Sequence, residues 1–366
     1  MRLNISLVML AAALLMSCGR EKYEKSDIKE TIVLNIDKCD DVNINDIGSS
    51  QYEIVPLENN PQFMVSNVDK MIVTERGIYI LDTRHIPTLY LFGHDGKAIR
   101  KIGKQGHSKS EYVRIDNFTA NERGDTVALL DEFGKMVKLY SDKDEFLGSH
   151  TFDESCGWDD CMMLDNKIYM SSYHHANNCL IAKYSMDLSA KESVVCTGDE
   201  LIPGPGCFFT YTQHSSKYIC FLDYYKSSFY LIDRTDETSI IKFELQSDNI
   251  LSPEKKDYVQ APYDAILEYV LTDNYIFMEV TCKEHLKSYM IDIEKRELKQ
   301  VTFNVFKPST LNCYKGTCYG FLMPQSIKDI SFYCSANKEL MRVIAPHKGS
   351  VSDSNNLYIL KTRLLK

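Results

Sequence analysis

Short apolar runs in which every second side chain is polar recur along this chain from residue 66 onward, separated by turns of Asp, Asn, Gly and Lys. A period of two belongs to a strand with a buried face, and no stretch of roughly a dozen residues holds the 3.6 period of a helix. The runs come in fours. One unit reads 68–73, 78–82, 88–92 and 97–102, with turns at 75–77 and 94–96; a second reads 118–120, 126–131, 136–140 and 145–150. Weaker copies follow at 161–164, 167–171, 179–184 and 191–195, at 208–212, 218–222, 229–232 and 240–245, and at 266–271, 275–280, 287–291 and 298–303. The second strands, marked by Tyr79, Ala128, Tyr169, Ile219 and Ile276, are 49, 41, 50 and 57 residues apart. Four strands per unit at that period are the signature of propeller blades.

A sixth unit spans roughly 311–366, with runs at 318–322, 331–334, 340–345 and 357–361, and two strand-like segments, 31–36 and 51–57, precede the first blade. Pairing an N-terminal strand into the last blade removes an exposed edge. The expected fold is therefore an all-β, six-bladed β-propeller of four-stranded antiparallel blades, over 31–366, closed by an N-terminal strand. Composition agrees: 23 Tyr and 16 Phe against 17 Gly suit half-buried strands, with most tyrosines filling the spaces between blades. The net charge of −9 supplies no basic stripe for nucleic acid.

Residues 1–17 divide into an n-region carrying Arg2, an apolar run from about Ile5 to Met16, and Ser17 before Cys18. The run is shorter than the roughly 20 residues of a spanning helix and reads as a secretory signal. Leu15-Met16-Ser17-Cys18 resembles a bacterial lipobox, which implies cleavage before Cys18 and its lipidation. At about 0.8 kcal/mol per buried CH₂, two or three acyl chains anchor a protein stably. Cleavage leaves the mature chain at −10, and residues 18–30 read as a polar lipidated tether. The expected location is the cell envelope, as an outer-membrane lipoprotein facing the periplasm or the surface. Excluding Cys18, 11 cysteines remain, an odd number; Cys156 with Cys161 and Cys313 with Cys318 share a spacing that could close small loops.

The segment Gly96-Lys97-Ala98-Ile99-Arg100-Lys101-Ile102-Gly103-Lys104-Gln105-Gly106, continuing to Glu111-Tyr112 and Phe118, resembles the inter-blade signature of six-bladed propeller lipoproteins of Bacteroides and its relatives, distant cousins of NHL-repeat propellers. Tyr52-Glu53-Ile54-Val55-Pro56-Leu57-Glu58, Ile78-Tyr79-Ile80-Leu81-Asp82 and Leu357-Tyr358-Ile359-Leu360-Lys361 match the same pattern. This chain departs from the usual small-residue form of the loop by carrying His107-Ser108-Lys109-Ser110 before Glu111. The resemblance implies an architecture and a compartment, with no reaction attached.

Leu81-Asp82, Leu130-Asp131 and Leu222-Asp223 end second strands in three blades. Equivalent positions of a ring share a face, so Asp82, Asp131 and Asp223, with Tyr79, are the candidate ligand-face or channel residues. The competing structural reading makes each Asp a cap on its own following turn, and it is the favoured one. His174-His175 near Cys179, the histidines His85 and His94 on a shared loop surface, and the acidic pairs Asp40-Asp41 and Asp159-Asp160 are further clusters, none at a spacing that dictates metal or acid–base chemistry. There is no G-x-S-x-G, H-E-x-x-H or G-x-x-x-x-G-K-[ST] motif. The leading expectation is a non-enzymatic, lipid-anchored module that binds a protein or glycan through one face, without metal or cofactor. The alternative is a Ca²⁺-dependent hydrolase of the lactonase type, with channel carboxylates on the cation.

Overall fold

The computed structural model describes residues 27–43, 49–131, 135–152, 158–171, 179–189, 191–196, 212–223, 227–247, 265–282, 285–302, 312–328, 338–352 and 354–365. Six sheets of four or five strands follow one another along the chain. Blade 1 is Lys70–Val73, Ile78–Asp82, Thr88–Phe92 and Ala98–Ile102, and blade 2 is Asn117–Ala120, Thr126–Asp131, Met136–Ser141 and Phe146–Thr151. Blade 3 is Asp160–Leu164, Lys167–Ser171, Cys179–Ser185 and Lys191–Cys196, and blade 4 is Thr212–His214, Tyr218–Asp223, Ser228–Asp233 and Ile240–Gln246. Blade 5 is Ala265–Leu271, Tyr275–Cys282, His285–Asp292 and Glu297–Thr302. Blade 6 takes Asn312–Tyr314, Thr317–Leu322 and Tyr358–Leu365 from the end of the chain and its outermost strand from the beginning.

Three N-terminal strands precede blade 1: β1 (Glu30–Asn35), β2 (Asp40–Asn43) and β3 (Ser49–Pro56). β3 closes the ring, paired antiparallel with Tyr358–Leu365 over its whole length, from Pro56 against Tyr358 to Ser49 against Leu365. β1 and β2 do something the strand rhythm does not announce. They lie parallel to the fourth strands of blades 4 and 5 and give each a fifth strand. The segment read as 31–36 thus covers an edge, outside the four-strand meander.

The blades hold together because their middle strands are buried on both sides. Ile78 and Ile80 face a cluster shared with Val55, Leu57 and Ile359 of blade 6, while Tyr79 and Leu81 face one shared with Phe118, Val127 and Leu129 of blade 2. Comparable clusters join blades 2 and 3, 3 and 4, and 4 and 5. Side-chain alternation along one strand therefore feeds two interfaces. Tyrosines sit in these seams as expected: Tyr79, Tyr140 and Tyr169 are at most 1% exposed. Their hydroxyls donate to the carbonyls of Gly124 and Ser110 and to the Glu237 carboxylate, respectively.

Blade 6 corrects one strand assignment. Residues 340–345 belong to a helix, α2 (Lys338–Lys348), which follows a shorter one, α1 (Pro324–Lys328). Leu340 and Ile344, four residues apart, are buried against Ile54, Tyr358 and Leu360, whereas Glu339 and Arg342 pair on the outer side. Apolar residues at i and i+4 with a charged residue between them is a helical period that a short window mistakes for strand. The 331–334 run lies outside the described residues, as does 208–211 of the run read as 208–212.

Cys313 and Cys318 are directly opposed on the first hairpin of blade 6 and form a disulfide. Cys161 is a buried free thiol, and Cys156 lies outside the described residues. Burial pushes the Cys161 thiol up to about 12, so it packs as an apolar group and does not ionise at neutral pH.

Candidate functional site

The first strands of the six blades converge on the axis and line a cavity of about 120 Å³. Lys70 opens the first strand of blade 1, Asn117 that of blade 2 and Asp160 that of blade 3. The Lys70 ammonium donates to Asp160 Oδ1 at 2.6 Å, Asn117 Oδ1 at 2.8 Å and the Cys161 carbonyl at 3.3 Å. All three of its protons are used. Asp160 is fully buried, so the pair stands as an inner clamp across three blades. Asn117 completes it by donating to the Asp159 carbonyl at 3.0 Å.

Further round the channel the polar groups are likewise committed to neighbouring strands. Thr119 Oγ1 accepts from Met163 N at 2.8 Å, joining blades 2 and 3. Gln213 donates to the Tyr269 carbonyl at 2.7 Å and accepts from Leu271 N at 2.9 Å, joining blades 4 and 5. His214 is half-buried on the same wall. Burial holds its imidazole below the ordinary histidine range, against the opposing pull of Glu122.

The turns between first and second strands form one rim of this channel. Lys315 of blade 6 pairs with Glu75 of blade 1 at 3.0 Å, and Glu75 N donates to the Glu122 carbonyl of blade 2 at 3.0 Å. Arg234 of blade 4 reaches Glu122 at 3.6 Å and both carboxylate oxygens of Asp165 in blade 3, at 2.9 and 3.0 Å. Asp273 of blade 5 accepts from Ser216 N at 2.7 Å. Every blade contributes. The carboxylates at this rim are about half exposed, so the belt fixes turn positions more than it adds stability. Gly124, at φ +75°, belongs to this end, where a Cβ would lie 2.2 Å from Thr74 Oγ1.

At the opposite end, Asp82 is 5% exposed and accepts from Ser66 N at 2.6 Å, Ser66 Oγ at 2.7 Å and Asn67 N at 3.2 Å, with its second oxygen on Arg84 N at 3.0 Å. Asp131 is fully buried and accepts from Val113 N at 2.9 Å. In each case a carboxylate ending a second strand holds the segment that leads into the first strand of its own blade. Asp82 also caps its following turn through Arg84, as the structural reading requires. Asp223 is 2% exposed at the equivalent position, and Tyr79 is fully buried with its hydroxyl on Gly124. The four candidate residues thus mark blade positions around the ring and do not come together in one pocket.

His85 and His94 sit at opposite ends of blade 1, one between its second and third strands and the other between its third and fourth. They share no loop surface. His174 and His175 lie outside the described residues, as does Cys18. Lys70 has no signature of its own in the sequence, since a single lysine in an alternating run reads as the solvent side of a strand. Its signal was position: with Asn117 and Asp160 it gives three polar residues at the start of three successive innermost strands.

Among the described residues, no three His, Cys, Asp or Glu side chains converge closely enough to hold a metal ion. Asp160, the buried carboxylate of the channel wall, is already neutralised by Lys70. Among the described residues, no set of carboxylates is assembled for the Ca²⁺ that the hydrolase alternative needs.

The ring has solved counterparts. A crystallised Bacteroides fragilis protein described as exported superposes with a TM-score of 0.67 at 15% identity, covering 92% of this chain and all of that one. A member of the DUF4221 family from Bacteroides vulgatus follows at 0.52 and 6% identity, over 87% of this chain and 98% of its own. Both show the fold alone. No curated protein matches. A family model described as a domain of unknown function matches residues 29–359, nearly the whole ring, and the chain belongs to that family, DUF4934.

Proposed function

We propose that this chain is a lipid-anchored binding module of the cell envelope, an outer-membrane lipoprotein related to the NHL-like propellers, which presents one face of its ring to a protein or glycan. The observation that carries the reading is the inequality of the two faces. Turns between first and second and between third and fourth strands are short. The connections between blades, at 57–69, 103–116, 152–159, 197–211, 247–264 and 303–311, begin and end on the opposite side. Long connections on a rigid scaffold are where recognition residues concentrate.

The start of β1 supports an orientation. Lys29 Nζ donates to Ser239 Oγ at 3.3 Å and Glu30 pairs with Arg296 at 2.8 Å, both in turns between third and fourth strands. A tether running from Cys18 to Lys29 reaches at most about 40 Å when extended. It joins the ring on its short-turn side, which supports an orientation with the side where the blade connections begin and end turned from the bilayer. The net charge of −9 and the commitment of the Lys70 ammonium to Asp160, Asn117 and the Cys161 carbonyl support a neutral or protein ligand over nucleic acid.

The test is fractionation of wild type and Cys18→Ser with labelled palmitate. Wild type incorporates label and partitions with membranes, and the variant does neither. Label uptake by the variant refutes the anchor.

A further inference from the structure

The outer strand of blade 1, Ala98–Ile102, ends its sheet. In blades 4 and 5 the corresponding edge is occupied, by β1 and β2 lying parallel to the fourth strand. Fourth strands of this ring therefore accept an extended segment. On blade 1 one such contact is already sketched: the Glu58 carboxylate accepts from Ala98 N at 3.0 Å, so an acidic side chain occupies a backbone donor of this strand.

Charge sets this edge apart. Between Arg84 and Arg114 the chain carries seven Lys and Arg against two carboxylates, in a protein whose net charge is −9. Lys97, Ile99 and Lys101 alternate along the exposed face of the outer strand, and Ile99 is 45% exposed. Lys97 is in contact with Asp95 at 3.3 Å across a solvated turn, and the Lys101 ammonium lies 5.4 Å from the Tyr90 ring centre, which fixes its stem. Lysines on an edge repel a second copy of the same strand and attract an acidic one.

We propose that the outer edge of blade 1 is a docking strand for an extended acidic polypeptide segment. It pairs main chain to main chain as β1 does on blade 4, with carboxylates beside Lys97 and Lys101 and an apolar side chain over Ile99. This is β-augmentation, in which backbone pairing supplies affinity and alternate side chains supply choice. A glycan has no peptide groups for such a ladder. The site lies on the outer edge of the ring, beside the connection 57–69 through Glu58, and does not depend on the lipid anchor.

The full-length protein in detergent, titrated with a dye-labelled eight-residue peptide alternating Glu and Val, tests it. Two control peptides are needed, one alternating Lys and Val, the other the Glu–Val sequence N-methylated at every second backbone nitrogen. The acidic peptide binds about tenfold more tightly than either control and slows amide exchange in 98–102. Lys97→Glu with Lys101→Glu removes about tenfold of that affinity while the melting temperature of the free protein stays within a few degrees. Lys97→Glu alone, which leaves the Tyr90 contact in place, lowers affinity about threefold. Equal binding of the acidic and basic peptides, indifference to N-methylation, or protection appearing at 146–151 in place of 98–102 overturns the proposal. A Cys18→Ser result of either sign leaves it standing.

Discussion

Blades 1 to 3 share a buried charge pair at the axis, whereas blades 4 to 6 gain extra strands at the circumference. In the first half Lys70 crosses from blade 1 to Asn117 and Asp160, while the outermost strands of these blades end their sheets. In the second half β1, β2 and β3 lie in turn along blades 4, 5 and 6. Leu34 and Ile36 of this outer belt, 8% and 4% exposed, enter the cluster between blades 4 and 5. A ring opens if any one seam parts. The comparison teaches that one chain meets this danger with a buried charge pair on one side and added apolar area on the other, which respond differently to mutation.

Breaking the inner clamp has the largest expected effect. Lys70→Met strands a fully buried carboxylate and costs about 3–5 kcal/mol. Adding Asp160→Leu recovers most of it, since an apolar pair of similar volume is often no worse than a buried ion pair. Urea unfolding of the two single variants and the double measures the coupling, and additive losses would show that the clamp is no unit.

The outer belt is next. Leu34→Ala removes a buried side chain from the cluster between blades 4 and 5 and is expected to cost about 2–3 kcal/mol, toward the low end of such deletions because the site is at the edge. Ile99→Ala, on the bare edge of blade 1, stays within about 0.5 kcal/mol. Similar melting shifts for both would erase the distinction between covered and bare halves.

The smallest effect is one the two halves share. Burial pushes the Tyr112 hydroxyl up to about 12 and raises Tyr79, Tyr140, Tyr169 and Tyr269 as well. The folded state holds these protons to higher pH than the unfolded chain, whose tyrosines ionise near 10. Their contribution is therefore complete below about pH 10 and is lost as pH rises toward 12. Phenolate absorbance should lag behind that of the unfolded protein over this interval, and a coincident titration would place these hydroxyls in water.

The strands, their grouping in fours and the closure by 51–57 were legible because each rests on local alternation and turn chemistry. The roles of β1 and β2 were not. A parallel fifth strand has no hairpin to announce it, and its partners, Ile240–Gln246 and Glu297–Thr302, are more than two hundred residues away. α2 reads as strand in the sequence because Leu340 and Met341 followed by Val343 and Ile344 fit a strand window as well as a helical one. The repeated Leu-Asp ends were visible as a pattern, yet the groups that occupy Asp82 and Asp131 are backbone amides of preceding segments, which carry no side-chain signature. Lys70 shows the converse, a lysine whose meaning comes only from two other blades.

The pairing of β3 with Tyr358–Leu365 also has a consequence for timing. Residues 49–56 are synthesised about three hundred residues before the strand that receives them, Tyr358–Leu365. Such pairing at maximal sequence separation is slow to form. Until Tyr358–Leu365 is made, blade 6 lacks its third strand and β3 has no edge to join, so a chain that stops before this strand stays an open arc.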